Sequence, residues 1–200
     1  MTDNSLPPNG PSLGARLAGL RGAVSLGNLA RGTTLYLPGD AADRIFVLTS
    51  GRVKISIEGT GGKHCLFHVV EAGEVFGEET LMGEETRPAS AEVIEKASVT
   101  MALKGDVDQL AAEHPDFWHL FSTLLARRLQ NLRQHLQWVT FLEVEQRIAR
   151  LILQWEGGAH AQPDEAPAEL QLSQRDLAGL VGATRETTSG ALKANAFQAG

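Results

Sequence analysis

The sequence predicts an α+β chain: an antiparallel β-roll, one long amphipathic helix, then a helix-turn-helix. Three observations carry that prediction. Short apolar or alternating segments separated by turn residues run from Gly32 to Leu103. A stretch free of Gly and Pro follows, from Asp116 to Leu142. Two short helical patterns then meet at Gly182.

The whole composition limits what such a chain can do. Two hundred residues with 42% hydrophobic content can bury a real core and suit two small domains. A net charge of −6 means that any contact with nucleic acid has to come from a local basic patch. Cys65 is the only cysteine, which excludes a disulfide framework or a cysteine-built metal site within one chain. No metal-ligand spacing, nucleophile elbow or phosphate-binding GxxxxGK[ST] loop occurs, so an enzyme is not expected. Glu78 and Glu79 could be read as a carboxylate pair, but adjacent positions on a strand diverge. No apolar run is long enough for a membrane span, and MTDNSLPPNGPSLG carries no signal-peptide core; a soluble cytoplasmic protein is expected.

In chain order, Met1 to about Gly14 is rich in Pro, Gly, Asn and Ser and reads as a tail. Leu17, Leu20 and Val24 suggest a short helix. Strand-like segments follow at Thr34–Leu37, Ile45–Leu48, Val53–Ile57, Cys65–Val70, Ser90–Ile94 and Val99–Leu103. Pro38-Gly39-Asp40, Ser50-Gly51 and Glu58-Gly59-Thr60-Gly61-Gly62 are the turns between them. Strands of this length and spacing describe an antiparallel roll or barrel instead of alternating β/α units. Asp106–Glu113 reads as a short helix leading into the long one.

The long helix shows Leu125, Leu129, Leu132, Leu136 and Val139 at alternating steps of four and three, and Trp118 continues the register one heptad back. Arg127, Arg128, Gln130, Arg133, Gln134 and Gln137 fill the other positions. So narrow a seam is the pattern of a helix paired with a second copy, although a helix packed on its own domain would also be amphipathic. Beyond Leu142, Ile148, Leu151, Ile152 and Trp155 share one face, Gly157-Gly158 closes that helix, and Ala159–Glu169 is a loop by composition. Ser173 can cap a helix carrying Leu177 and Leu180. Gly182 allows the tight turn, Thr184 can cap the next helix, and Leu192 anchors it.

In a helix-turn-helix the first turns of the second helix meet base edges. Here they read Thr184-Arg185-Glu186-Thr187-Thr188-Ser189. Arg185 can bond bidentately to guanine, Glu186 can accept from a cytosine amino group, and the Thr184 and Thr187 hydroxyls can meet phosphates. Without a ligand the same residues would be a solvated helix start.

LAGLVGATRETTSGAL strongly resembles the helix-turn-helix of the cyclic-AMP receptor protein/FNR family of bacterial transcription regulators, and Ala126 to Leu153 resembles that family without a gap. The resemblance implies a dimer with an N-terminal β-roll of the cyclic-nucleotide-binding type, a long dimerisation helix and a C-terminal winged helix. It makes Arg185 and Glu186 the base readers, adds Ser173, Gln174 and Ser189 to the DNA contacts, and implies palindromic double-stranded DNA and RNA polymerase as partners. Gly190 stands where the family usually has another basic residue, and ANAFQAG follows where a wing would begin. The wing is therefore expected to be truncated. The implied division is a tail over 1–16, an effector-binding β-roll over 17–114, a dimerisation helix over 115–142 and a DNA-binding domain over 143–200, incomplete at its C-terminus.

The segment VEAGEVFGEETLMGEETRPASAEV resembles the phosphate-binding cassette of such β-rolls. Gly77 permits close backbone approach, Glu78 can accept from a ribose hydroxyl, and Arg87 offers a cationic fork to a cyclic phosphate. Pro88, Ala89 and Ser90 complete the run, but Pro88 offers neither a hydroxyl nor an N–H. Arg87 among Glu78, Glu79, Glu84 and Glu85 could equally be a surface ion pair. Leu132 and Arg133 occupy the positions from which the family reads adenine. Cyclic AMP is the leading effector; a different effector, or none, is the alternative. Haem on Cys65, His64, His68 or His119 is disfavoured, because adjacent strand residues face opposite ways. The rival class is a nucleotide-binding dimer that no longer binds DNA.

Overall fold

The structure is a computed structural model and describes residues 12–60, 64–156 and 172–198. Among these residues six strands form one antiparallel sheet: β1 (Val24–Leu29), β2 (Thr34–Tyr36), β3 (Arg44–Glu58), β4 (His64–Val70), β5 (Val75–Phe76) and β6 (Ser90–Leu103). The hydrogen-bonded order is β1-β6-β3-β4, with β2 on β6 and β5 on β3. Among the described residues six α-helices accompany it: α1 (Leu13–Ala18), α2 (Lys104–Glu113), α3 (Phe117–Phe141), α4 (Val144–Glu156), α5 (Gln174–Val181) and α6 (Arg185–Gln198).

The first helix lies earlier than its leucines suggested. Ser12 caps α1, its hydroxyl accepting from the Ala15 N–H at 3.2 Å, and Leu13 and Leu17 are buried. The helix thus begins inside the stretch read as a tail. Val24 is not helical but opens β1, where it pairs with Met101. That strand and β5 were missed. Gly27 and Asn28 interrupt β1, Asn28 at φ 57°, and the strand is largely exposed, so no alternation marks it.

Two expected pairs of strands are single long strands. Ile45–Leu48 and Val53–Ile57 are both parts of β3, and Ser90–Ile94 and Val99–Leu103 are both parts of β6. Ser50-Gly51 is therefore not a turn but a bulge, and the β3/β6 register shifts from Leu48 to Val53. Gly51 has φ 78°, and a Cβ there would lie 2.2 Å from the Lys96 carbonyl oxygen. Only glycine lets the two backbones cross so closely, and the bulge bends the paired strands over the core. Residues 61–63 of the expected β3–β4 turn lie outside the described residues.

Burial follows from this bend. Tyr36, Phe46, Val53, Phe76, Val93 and Val99 fill the interior of the roll. A second cluster joins Leu13 and Leu17 of α1, Val107 and Leu110 of α2, and Phe117 and Phe121 of α3 to Ile45 and Val47. Phe117 and Phe121 are the buried residues of α3. Trp118, Leu129, Leu132, Leu136 and Val139 are exposed on the single chain, and Leu125 is partly buried.

The third cluster belongs to the C-terminal helices: Ile148, Leu151, Leu180, Val181 and Ala191, joined by Leu66 of β4. Ile152 does not share the face expected of it; it is exposed, because Ile148 and Leu151 take the places against Leu66. The Trp155 side chain, Gly157-Gly158 and the loop expected over 159–169 lie outside the described residues. Among the described residues, no helix is long and apolar enough to cross a membrane.

Candidate functional site

A cavity of about 1020 Å³ lies where the roll, α3 and the C-terminal helices meet. Its wall brings together Gly77, Glu78, Pro88 and Ala89 of the cassette, Leu132 of α3, and Arg147, Leu151, Leu180 and Val181 of the C-terminal helices. Gly77 is left-handed at φ 75° and starts a short 3-10 helix, Glu78–Leu81. A Cβ on it would lie 2.9 Å from an Arg87 nitrogen and 3.0 Å from Phe46, so glycine is needed here for both φ and space.

Arg87, Ser90 and Arg133 do not line the cavity, contrary to expectation. The Arg87 side chain is only 1% exposed. Its Nη1 donates to the Gly77 carbonyl at 3.0 Å and to Glu79 Oε1 at 3.1 Å, and its Nη2 donates to the Arg44 carbonyl. Its guanidinium carbon sits 4.5 Å from the centre of the Tyr36 ring. A buried guanidinium has to be paired, and these partners hold it inside the roll. It is no surface ion pair either. Ser90 is used within the sheet, its hydroxyl donating to the Ser56 carbonyl at 2.9 Å. Arg133 is exposed, on a face of α3 turned away from the cavity.

The cation that borders the cavity beside the cassette is Arg128, which pairs with Glu78 and donates to the Val75 carbonyl. Sequence reading placed Arg128 on a solvated face. A signal was nevertheless present. Leu124, Arg128, Asn131, His135 and Trp138 all line the cavity, and each precedes a seam residue by one position. A second stripe with the same four-three spacing therefore runs beside the seam, polar at Arg128, Asn131 and His135 where the seam is apolar.

Burial perturbs two titratable groups here. The Tyr36 phenol is pushed up, chiefly by burial and then by Glu79. His68 on β4, also in the wall, is pushed down from 6.5 to about 4 by burial, helped by the Arg128 charge. A base whose folded value is depressed contributes full stability above its unfolded value and loses it as pH falls toward the folded one. Stability should therefore drop between pH 6.5 and about 4, by up to roughly 3 kcal/mol at about 1.36 kcal/mol per unit. Urea titrations of wild type and His68→Phe across that range would check this: the variant should lack this component of the slope, and parallel curves would refute it. Cys65 is a free thiol on an exposed strand position, pushed up by the partial burial it has there, which makes it a poor nucleophile. Among the described residues no cluster of His, Cys, Asp or Glu could hold a metal ion.

The second candidate surface is the pair α5 and α6. Ser173 and Asp176 form a capping box, and Gly182 turns the chain at φ 63°. The Thr184 hydroxyl accepts from the Thr187 N–H at 3.2 Å and caps α6, while Thr188 is buried beneath. Thr184, Arg185, Glu186 and Thr187 are exposed together on the first turn. The Glu186 carboxyl is held below its ordinary value, by its own backbone N–H first and then by the Thr184 hydroxyl, so it is an acceptor. Gln174 is exposed at the start of α5, whereas Ser173 is engaged in its cap and Ser189 is half-buried. Helix α6 runs on to Gln198.

Comparison with known proteins recognises two domains in the chain. A family model described as a cyclic nucleotide-binding domain matches residues 26–114, and one described as a Crp-like helix-turn-helix domain matches residues 146–194. The chain is 30% identical over 169 residues to a CRP-like cAMP-activated global transcriptional regulator of Mycobacterium tuberculosis, covering 81% of this chain and 73% of that protein. It is also 30% identical to a cyclic AMP receptor protein of Thermus thermophilus, over 82% of this chain and 73% of that one. Among solved structures, the c-di-GMP responsive global regulator CLP of Xanthomonas campestris is similar with a TM-score of 0.75 and 22% identity, covering 92% of this chain and 90% of that one. At that identity the likeness speaks for the fold.

Proposed function

The chain belongs to the cyclic-AMP receptor protein/FNR family of transcription regulators, and on that premise we propose that it acts as a homodimer switched by a cyclic nucleotide, cyclic AMP first. One observation carries the reading. A single cavity is walled by the cassette, by the long helix and by the helices that support α6. A ligand there touches sensor, transmitter and reader at once, so its binding energy can bias where the reader sits. Two α3 seams pack together to form the dimer, and the two α6 helices then address palindromic half-sites in successive major grooves. RNA polymerase is the partner through which such a regulator changes transcription.

In this arrangement Glu78 accepts from the ribose and Arg128 faces the cyclic phosphate, while Arg87 holds the cassette turn in place from inside. Asn131 and Leu132 lie where α3 meets the base. A second reading, an effector other than cyclic AMP, is favoured by the inward Arg87 together with Pro88, which lacks an N–H. Calorimetry with cyclic AMP and cyclic GMP separates the two readings. Heat with cyclic AMP supports the first, and none with either nucleotide retires the cyclic-nucleotide claim. Fluorescence anisotropy on palindromic operators, with and without the bound nucleotide, tests the DNA half; absence of specific binding would favour the rival dimer that has lost its DNA site. Arg185→Ala should cost about 1–3 kcal/mol at the base pair it reads and flatten discrimination there. Equal affinity for matched and mismatched sites in wild type would remove Arg185 from this role.

A further inference from the structure

Helix α5 of the C-terminal domain packs directly against strand β4 of the roll. Small residues make the approach possible: a Cβ on Gly179 would lie 2.8 Å from the His64 ring and 3.1 Å from the Leu66 nitrogen. The helix backbone therefore rests directly on the strand. Leu66, 1% exposed, completes the apolar core of the C-terminal helices from the sensor side.

Polar groups frame that contact. Lys54 Nζ donates to Asp176 Oδ1 at 2.9 Å, with side chains only 12% and 7% exposed. His64 Nε2 lies 3.2 Å from the same oxygen, off the line that a hydrogen bond requires. Lys54 also meets Glu92 at 3.3 Å, and Glu58 holds both His64 Nδ1 at 3.2 Å and Arg175 at 2.6 Å. The Arg175–Glu58 pair is solvated and contributes little. The Lys54–Asp176 pair is buried, so removing either partner strands a charge. Asp176 is held below its ordinary value although burial alone would raise it, because hydrogen bonds from Ser173 and Lys54 outweigh that cost.

We propose that this contact is a latch between reader and sensor, with Lys54 and Gly179 as its positioning residues, and that closing it completes the effector cavity. The cavity has Leu66, His68 and Val69 of β4 on one side and Leu180 and Val181 of α5 on the other. Lifting α5 from β4 removes a wall, so latch closure and ligand affinity are reciprocally linked. The ligand half of this inference rests on the proposed function; the docking half does not. The exposed reading turn of α6 is not covered by the latch, which therefore acts by setting position and not by masking.

Gly179→Val and Lys54→Met, made in the full chain, test it by hydrogen exchange. Exchange over 64–70 and 174–181 should accelerate about ten-fold or more in both variants, while α2 stays as in wild type. Lys54→Arg should restore slow exchange. Cyclic AMP affinity should fall at least about five-fold in both variants. Unchanged exchange at the two faces, or acceleration spread equally to α2 in both variants, overturns the latch. Faster exchange with unchanged nucleotide affinity overturns the coupling. Absence of cyclic AMP binding in wild type would count against the effector instead, and exchange would still decide the latch.

Discussion

Leu129→Asp together with Leu136→Asp is expected to give a folded monomer that has lost specific operator binding. Both side chains are exposed on the single chain, by 48% and 63%, and neither belongs to its core clusters or its cavity wall. They lie on the four-three seam with Leu132 and Val139, which a second α3 would cover. Burying a leucine is worth about 1.5–3 kcal/mol, and a dimer buries four at these two positions, so the doubled loss reaches several kcal/mol before the charges repel. Sedimentation at micromolar concentration should show the monomer mass, with circular dichroism unchanged. A dimer that persists would move the interface elsewhere, and a chain that unfolds would mean the seam packs on its own protomer. Operator affinity should fall about a hundred-fold or more, because a monomer engages one half-site without the linked second.

Gly51→Ala should be the most damaging small substitution in the roll. Two costs combine. A residue with a side chain at φ 78° pays about 1–2 kcal/mol for the left-handed region. The new methyl would also meet the Lys96 oxygen at 2.2 Å and the Ala97 Cα at 2.7 Å, both backbone atoms, so β3 and β6 have to part at the bulge. A total loss of about 4 kcal/mol or more is expected, enough to leave a marginal domain largely unfolded. Gly39→Ala is the control. Its φ is 90°, but nothing lies within 4 Å of the added carbon, so it should cost only about 1–2 kcal/mol. Urea denaturation of both variants measures the difference, and similar midpoints would mean that the bulge can relax.

The same bulge shows where sequence reading fails. Ser50-Gly51 carries the composition of a turn, and glycine at positive φ serves turns and bulges alike. Which one forms depends on whether the strand continues beyond it, and that is settled by the partner strand. Arg87 shows a similar limit. Its place ten residues after Gly77 was legible, and so was its cationic chemistry. Its direction was not, because Tyr36, Phe46, Arg44 and Glu79, which hold it inward, are scattered along the chain. The cavity stripe on α3 was legible in principle. A heptad pattern shows which side chains share a face, but not which face meets the roll.

By itself the sequence determined the order of the parts, the long helix with its apolar seam, the turn at Gly182 and the start of α6 at Arg185 and Glu186. All of these are local: periodicity, caps and turn chemistry act over a few residues and leave their mark in composition. Only the tertiary structure decided that two predicted strands are one bent strand, that Arg128 and not Arg87 borders the cavity, and that Leu66 of the sensor closes the core of the reader. Each of those depends on residues far apart in the chain meeting across a packed interface, where burial forces polar groups to find partners and glycine to yield space. No pattern along the chain records which partner is found.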